Sequence, residues 1–302
     1  MATVSGSFHR TIDSIGASLG ALVYRRDRFF GRSADSIPLA EAVQGATVEV
    51  DGLDPGVWHQ VSVDTPLGAF DAGYLVHQWR GIEAPTMLFV HGSGEQPHDF
   101  GRTSSNSFRK LFPSEFDADV NLILLQAPFH QGSQGEYIRA LGDLSRYVGM
   151  LAAATALVDA LAQRLSAEGC PRVYAVGISL GGWVVNLHRA YLGRGIARYV
   201  PMVAGTRLHE VFVTSDYRRL VAEPARSNPA LLEGVLCFED DFRANRQDDC
   251  YPLLARYDSL VEYEVQRHGY EGMDLVVLDK GHFAVMEAIA DLRDHVRRSL
   301  DL

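Results

Sequence analysis

Ser179, His282 and Asp258 are the side chains whose types and chain order best suit nucleophilic catalysis. A serine hydroxyl is a poor nucleophile until a base removes its proton, and that base needs a third group to orient it. A neutral imidazole, with a reference pKa of about 6.5, can take up a proton and return it near neutral pH. A carboxylate can hold the imidazole in the productive tautomer. These residues therefore predict acyl-transfer chemistry.

Ser179 is the candidate nucleophile because of its local context. It lies in the motif Gly177-Ile178-Ser179-Leu180-Gly181, which has the form G-x-S-x-G. The apolar run at residues 173–176 predicts a buried strand before the motif, and apolar residues at helical spacing follow it. A strand-turn-helix corner exposes the serine hydroxyl, and the glycines allow the backbone segments to approach closely. The motif alone is weak, but with this context it predicts a nucleophile elbow.

His282 and Asp258 each follow a predicted strand. Residues 274–278 form the last strand, just before His282, and residues 251–255 form the strand before Asp258. The carboxyl ends of parallel strands collect the active site of a doubly wound sheet. Rival carboxylates fall in a charged segment that is typical of a solvated surface, so Asp258 is favoured over Glu239, Asp240, Asp241, Asp248 and Asp249.

The remaining histidines fit structural or solvated positions better than catalytic ones. His98 and His130 are predicted to lie on loops beside the site, which leaves a contact with substrate open for both.

Two backbone N–H groups are candidates for stabilising an oxyanion. One belongs to Leu180, which follows the nucleophile at the start of a helix. The other belongs to Ser93 in the loop His91-Gly92-Ser93-Gly94, directly after the apolar strand 85–90. Glycines let this loop approach a ligand, so His91, Gly92 and Gly94 are predicted to border the substrate. A plain glycine-rich turn is the alternative for this loop.

The elements around these residues alternate between buried strands and amphipathic helices. This alternation predicts an α/β fold with a doubly wound, mostly parallel sheet. Its strands are expected at residues 85–90, 120–127, 173–176, 197–204, 251–255 and 274–278, and its helices include 139–167 and 283–300. Segments 47–50, 58–63 and 70–79 alternate in polarity and predict an antiparallel ribbon.

Domain organisation is predicted from changes in pattern. Residues 1–43 form an N-terminal arm with a predicted amphipathic helix, and residues 44–302 form the main domain. Residues from about 206 to 247 lose the strand pattern and are predicted to form a small helical lid. The apolar stripe of the arm consists of Phe8, Ile12, Ile15, Leu19 and Leu22.

Composition limits the possible partners and compartments. The 302-residue chain has a formal net charge of -10 and no long basic run, which argues against nucleic acid as a partner. Its cysteines, Cys170, Cys237 and Cys250, lack metal-ligand spacing and fit a reducing compartment. No segment in the sequence predicts a membrane span or a secretory signal, so a cytoplasmic protein without a bound metal is expected.

The chain resembles the α/β-hydrolase superfamily through the loop at 91–94, the elbow at 177–181, the acid loop at 257–261 and Gly281-His282-Phe283. The resemblance implies an eight-stranded, mostly parallel sheet, a triad of Ser179, Asp258 and His282, an acyl-enzyme intermediate and no cofactor. Arg256 and Tyr257 stand where such proteins usually carry a glycine before the acid.

We therefore expect a serine hydrolase that cleaves an ester or thioester of a small-molecule acyl substrate. Acyl transfer or peptide cleavage would use the same residues, and a non-catalytic binding protein on this fold is an alternative of a different class.

Overall fold

An eight-stranded sheet organises the chain. The structure is a computed structural model that describes residues 28–102, 104–113, 116–245 and 247–302. The strands lie in the spatial order β1-β2-β4-β3-β5-β6-β7-β8. Their bounds are Trp58–Thr65 (β1), Gly68–Gln78 (β2), Thr86–Val90 (β3), Asn121–Gln126 (β4), Val173–Ile178 (β5), Arg198–Met202 (β6), Leu253–Ala255 (β7) and Val276–Leu278 (β8). The predicted arm helix lies outside the described residues.

Helices cover both faces of this sheet. The α-helices are Leu39–Gln44 (α1), Ser107–Leu111 (α2), Gln134–Ala140 (α3), Leu144–Ala167 (α4), Leu180–Tyr191 (α5), Leu208–Val213 (α6), Glu223–Arg226 (α7), Pro229–Leu236 (α8), Glu239–Ala244 (α9), Tyr263–Gln266 (α10) and Ile289–Leu300 (α11). Short 3-10 helices occupy Asp216–Leu220, Arg267–Tyr270 and Ala284–Glu287.

Strand pairing confirms the predicted doubly wound, mostly parallel sheet. Strand β2 pairs antiparallel with β1 and β4, and every other neighbouring pair is parallel. Both faces are buried: in β3, Leu88 and Val90 join the core beneath α4 and α5, whereas Met87 and Phe89 join the core beneath α2 and α11. Burial on both faces explains why these strands are apolar throughout.

Helix α4 is the longest helix of the described chain, and it lies in the core. By length and composition alone it could cross a membrane, yet 83% of its most apolar window is buried inside the fold. Core helices of this kind pass the same test, so the pattern is explained by packing against the sheet.

The predicted helix at 139–167 is interrupted in the structure. Helix α3 ends at Ala140 and α4 begins at Leu144. Residues 32–33 fill the gap: the Arg32 guanidinium donates to Asp143 at 2.6 Å, and Leu144 N–H donates to the carbonyl of Ser33 at 2.9 Å. A Cβ on Gly142 would lie 2.6 Å from the Arg32 side chain. Contact with a distant segment therefore divides a helix that is continuous by local pattern.

The predicted strand at 47–50 is reduced to a single bridge. Thr47 and Asp64 exchange two backbone hydrogen bonds of 2.8 and 2.9 Å, and no strand continues from them. The alternation has a different cause, since Ala46, Val48 and Val50 pack against the core while the residues between them are exposed. Burial of every second residue therefore explains the strand-like sequence pattern, although no ladder of backbone hydrogen bonds forms along this segment.

The segment between β6 and β7 is helical, and it meets the N-terminal segment above the carboxyl ends of the strands. Phe29 forms a parallel bridge opposite Val221. Phe29 N–H donates to the Leu220 carbonyl and Ala222 N–H donates to the Phe29 carbonyl, each at 2.9 Å. The Phe29 ring stacks on Tyr217 with 6.0 Å between centroids. Helix α1 ends at Gln44, the position where the main domain was predicted to begin, and its buried side packs on α4.

Candidate active site

Ser179 lies at a strained corner between β5 and α5. Its backbone has φ 51° and ψ -114°, a conformation that costs about 1 to 3 kcal/mol for a residue with a Cβ. Ser179 N–H donates to the carbonyl of Met202 at 2.9 Å, and the Ser179 carbonyl accepts from Trp183 at 3.1 Å. The corner is therefore held by the neighbouring strand and by the first turn of the helix.

Close backbone packing explains the glycines of the elbow. A Cβ on Gly177 would lie 2.2 Å from the carbonyl oxygen of Gly181, and a Cβ on Gly181 would lie 2.0 Å from the carbonyl oxygen of Val90. Neither distance is possible for a side chain. Gly182 is similarly confined, with its Cβ position 2.6 Å from Ala204. The turn thus requires glycine at these positions, as the sequence pattern predicts.

The structure brings Ser179, His282 and Asp258 together in a hydrogen-bonded series. The Ser179 Oγ lies 3.1 Å from His282 Nε2, and His282 Nδ1 lies 2.6 Å from Asp258 Oδ2. The Asp258 side chain is 1% exposed and that of His282 is 12% exposed. This order of contacts lets Nε2 accept the serine proton while Nδ1–H donates to the carboxylate.

Asp258 is held in place by its own loop. Its Oδ1 accepts hydrogen bonds from the N–H groups of Leu260 and Val261 at 2.8 and 2.7 Å. Because Oδ1 is occupied by these two donors, Oδ2 is left facing His282. The carboxylate orientation is therefore set by backbone groups.

The rival carboxylates are engaged elsewhere. Asp249 accepts from the buried Arg189 at 2.8 Å, and Asp241 accepts from Tyr191 at 3.0 Å. Glu239 lies 3.7 Å from the guanidinium of Arg207. Asp240 and Asp248 line a separate surface groove with Arg243. Of the six candidates, Asp258 is the one whose carboxylate lies against His282 Nδ1.

The loop at 91–94 borders the cleft in front of Ser179. Ser93 and Leu180 both line the cleft. Leu180 is the first residue of α5, and a helix leaves its first N–H groups without intrahelical acceptors. The Ser93 hydroxyl lies 2.6 Å from that of Tyr137. Both predicted oxyanion donors are therefore placed beside the candidate nucleophile.

His91 supports this loop from behind. Its side chain is fully buried, with Nδ1 2.7 Å from the Gly92 carbonyl and Nε2 accepting from Ala127 at 3.1 Å. Burial lowers the pKa of His91 well below its usual value, so the ring is neutral and bonded to backbone at both nitrogens. His91, Gly92 and Gly94, which were predicted to border the substrate, do not line the cleft; of this loop, Ser93 does.

Glu95 and His130, neither of which was predicted to be catalytic, also support the loop. Glu95 accepts from Gly92 N–H at 3.2 Å and from the Ser107 hydroxyl at 2.8 Å, and its burial raises its pKa. His130 Nε2 accepts from Gly94 N–H at 3.1 Å while Nδ1 lies 2.9 Å from the Pro128 carbonyl. Burial lowers the pKa of His130 to about 4, which keeps Nε2 available as an acceptor. The other loop histidine, His98, is exposed.

The cleft itself is small, and most of its lining is aliphatic or aromatic. Its volume is about 40 Å³, far below the several hundred cubic ångströms typical of drug-sized ligand sites. Apart from Ser93, Ser179 and His282, its lining consists of apolar and aromatic side chains: Phe29, Tyr137, Tyr147, Leu180, Trp183, Leu208, Val211, Phe212, Tyr217, Leu260 and Val261. Phe29, Tyr137 and Tyr147 were not among the residues predicted to form the site. Phe238 lies outside this lining and packs on Trp183, with 6.2 Å between ring centroids.

The chain is similar to known proteins both in sequence and in fold. Residues 87–295 match the sequence model of the alpha/beta hydrolase family. Acylaminoacyl peptidase of Pyrococcus horikoshii is 14% identical with a TM-score of 0.53, covering 82% of this chain and 42% of that chain. This chain therefore spans about two-fifths of the peptidase. Est1E of Butyrivibrio proteoclasticus is 15% identical with a TM-score of 0.51, covering 80% of this chain and 99% of that chain. At these identities the structures share a fold. No curated protein matches the sequence.

Proposed function

Because the chain belongs to the α/β-hydrolase family, we propose that it is a serine hydrolase that cleaves esters or thioesters of small acyl groups. The observation that carries the proposal is the hydrogen-bonded series from Ser179 through His282 to Asp258, which opens into the cleft. A binding protein would not require a strained serine aligned with a histidine and a buried carboxylate.

In the proposed reaction, Ser179 Oγ attacks the acyl carbonyl carbon and its proton passes to His282 Nε2. Asp258 stabilises the imidazolium through the Nδ1–H hydrogen bond. The N–H groups of Leu180 and Ser93 would stabilise the negative oxygen of the tetrahedral intermediate. His282 returns the proton to the leaving alcohol or thiol, which leaves an acyl-Ser179 ester. Water, deprotonated by His282, then attacks this ester and releases the acid and free Ser179.

The size of the cleft favours short acyl groups. A volume of about 40 Å³ accommodates only a few non-hydrogen atoms beyond the carbonyl. Bulky aromatic side chains, Phe212 and Tyr217 among them, line the cleft, and we expect a longer chain to require that such side chains move. We therefore expect acetyl to butyryl esters to be hydrolysed faster than octanoyl esters.

A fluorophosphonate probe and a series of 4-nitrophenyl esters test this function. The probe should label one peptide, containing Ser179, and labelling should vanish in Ser179→Ala, whose turnover should fall by about 10⁶. Ser93→Ala is the matched control and should keep the label. Labelling that persists in Ser179→Ala, or a wild-type protein that hydrolyses no ester of the series, would refute the proposal. A 4-nitroanilide of the preferred acyl group tests amide cleavage in the same assay.

A further inference from the structure

Three tyrosines give the otherwise apolar cleft a polar component. Tyr137 lies on α3, Tyr147 on α4 and Tyr217 on the 3-10 helix at Asp216–Leu220, so three separate elements deliver them. Their rings are packed among phenylalanines: Tyr147 meets Phe212 with 5.3 Å between centroids, and Tyr217 stacks on Phe29. Packing of this kind fixes where the rings lie.

The hydroxyl groups differ in their partners. Tyr137 OH lies 2.6 Å from the Ser93 hydroxyl. Within the described parts of the chain, no hydrogen bond joins the hydroxyls of Tyr147 and Tyr217 to another protein group, and neither hydroxyl is shut off from solvent. Tyr147 is 6% exposed, so its accessible hydroxyl is free to bond to water or to a ligand atom that enters the cleft. A phenylalanine would fill the same space but could not make such a hydrogen bond, so the hydroxyl gives the cleft a donor for a ligand atom.

These hydroxyls are donors at any physiological pH. Burial, followed by the neighbouring hydroxyls of Tyr137 and Tyr217, holds the pKa of Tyr147 well above its usual value. Burial and the Asp258 carboxylate raise the pKa of Tyr217 to about 12. A neutral phenol can donate to an oxygen acceptor of the substrate, whereas an anionic substrate group would meet no positive charge in the cleft lining.

We propose that the cleft selects short acyl groups that carry a neutral oxygen acceptor (an ether or ketone oxygen) a few bonds beyond the carbonyl, and that Tyr147 and Tyr217 donate hydrogen bonds to it. The inference rests on the proposed hydrolase function. It assigns Tyr147 and Tyr217, which line the same cleft as Ser93 and Ser179, to substrate specificity. A site built to hydrogen-bond an oxygen discriminates against the analogue that lacks it more strongly than an apolar site can against an extra methylene.

Matched ester pairs in a mutant cycle test the proposal. The first pair is 4-nitrophenyl methoxyacetate and 4-nitrophenyl butyrate, which exchange one oxygen for one methylene at equal length. The second pair, 4-oxopentanoate and 4-methylpentanoate, places the oxygen deeper in the cleft. The quantity measured in each pair is kcat/KM for the oxygen-bearing ester divided by kcat/KM for its hydrocarbon analogue. Intrinsic reactivity differs between the esters, but that difference is the same for every protein variant and cancels between them.

In Tyr147→Phe or Tyr217→Phe, the ratio should fall by about tenfold or more for at least one pair. Tyr74→Phe is the matched control, because Tyr74 is also a core tyrosine but donates to the Gly52 carbonyl and does not line the cleft, and it should leave both ratios unchanged. Thermal unfolding verifies that each variant folds. If one of the two cleft variants does not fold, the other is enough for the test.

If both ratios stay unchanged in the cleft variants, the inference is overturned. That result would mean that the two hydroxyls bind water and make no bond to the substrate oxygen. That result would leave the hydrolase function standing, provided that the wild-type protein turns over the butyrate ester. Failure of the wild type on every ester would refute the hydrolase proposal and this inference together.

Discussion

His282 Nδ1 lies 2.6 Å from Asp258 Oδ2, while the other oxygen of Asp258 is held by two backbone N–H groups of its own loop. The carboxylate is nearly inaccessible to solvent. Its orientation is therefore fixed before any substrate arrives, and the histidine tautomer follows from it. This relationship makes Asp258 a sharper test of the proposed mechanism than the serine.

Asp258→Asn should lower turnover of an activated ester by about 10⁴ while the fold is retained. The amide has the shape of the carboxylate, but it favours the wrong tautomer of His282 and cannot stabilise the imidazolium. Asp240→Asn is the matched control and should stay within about tenfold of wild type, since Asp240 lines a separate groove. Circular dichroism checks folding, and a mild loss in Asp258→Asn beside a large loss in Asp240→Asn would contradict the assignment.

Two helical glycines offer a test of the packing at the elbow. Gly181→Ala should lower the free energy of unfolding by about 3 kcal/mol and abolish turnover, because the new Cβ would lie 2.0 Å from the Val90 carbonyl oxygen. Gly234 in α8 has open space around its Cβ position, so Gly234→Ala should raise stability by about 0.5 to 1 kcal/mol. Urea unfolding of both variants measures the difference. Equal effects would show that the elbow tolerates a side chain.

The elbow and the sheet could be predicted from the sequence because their causes are local. A fully buried parallel strand requires an unbroken apolar run, and the tight turn after β5 requires glycine on either side of Ser179. The placement of His282 and Asp258 could then be predicted from the strands that precede them, since parallel strands deliver their C-terminal loops to one edge of the sheet.

The parts that could not be predicted depend on contacts between distant segments. Helix α4 begins at Leu144 because residues 32–33 form hydrogen bonds with residues 142–144. The spacing of apolar residues in the sequence does not predict that contact. His130 supports Gly94 across 36 positions of the chain, and Phe29 reaches the cleft from the N-terminal segment. Such roles are visible only once the chain is folded.

Phe29 should help to set acyl chain length. Its ring lines the cleft and contacts Tyr217 and Phe212, so Phe29→Ala would enlarge the cleft. We expect the ratio of kcat/KM for octanoyl over butyryl esters to rise about tenfold, with a loss of about 3 to 5 kcal/mol in stability. Phe112→Ala is the matched control, because Phe112 is equally buried in the opposite core, and it should lose stability without changing the ratio. A shift of the ratio in both variants would point to general loosening.

His130 should make the stability of the protein depend on pH. In the unfolded chain its imidazole takes up a proton as the pH falls through about 6.5, whereas in the fold burial holds its pKa at about 4. Between these values the unfolded state binds more protons, so the free energy of unfolding falls as the pH falls. The difference in pKa corresponds to roughly 3 kcal/mol across that window. Below it, the protonated ring can no longer accept the Gly94 N–H.

His130→Gln separates this effect from the titration of other groups. Glutamine has an amide oxygen that can accept the Gly94 N–H but does not titrate, so urea unfolding from pH 7 to pH 4 should show a smaller loss of stability in the variant than in the wild type. His98→Gln removes an exposed histidine and serves as the matched control, with the pH dependence of the wild type retained. If His130→Gln and wild type lose stability in parallel, His130 is not buried as a neutral acceptor, and the loop that carries Ser93 is held by other contacts.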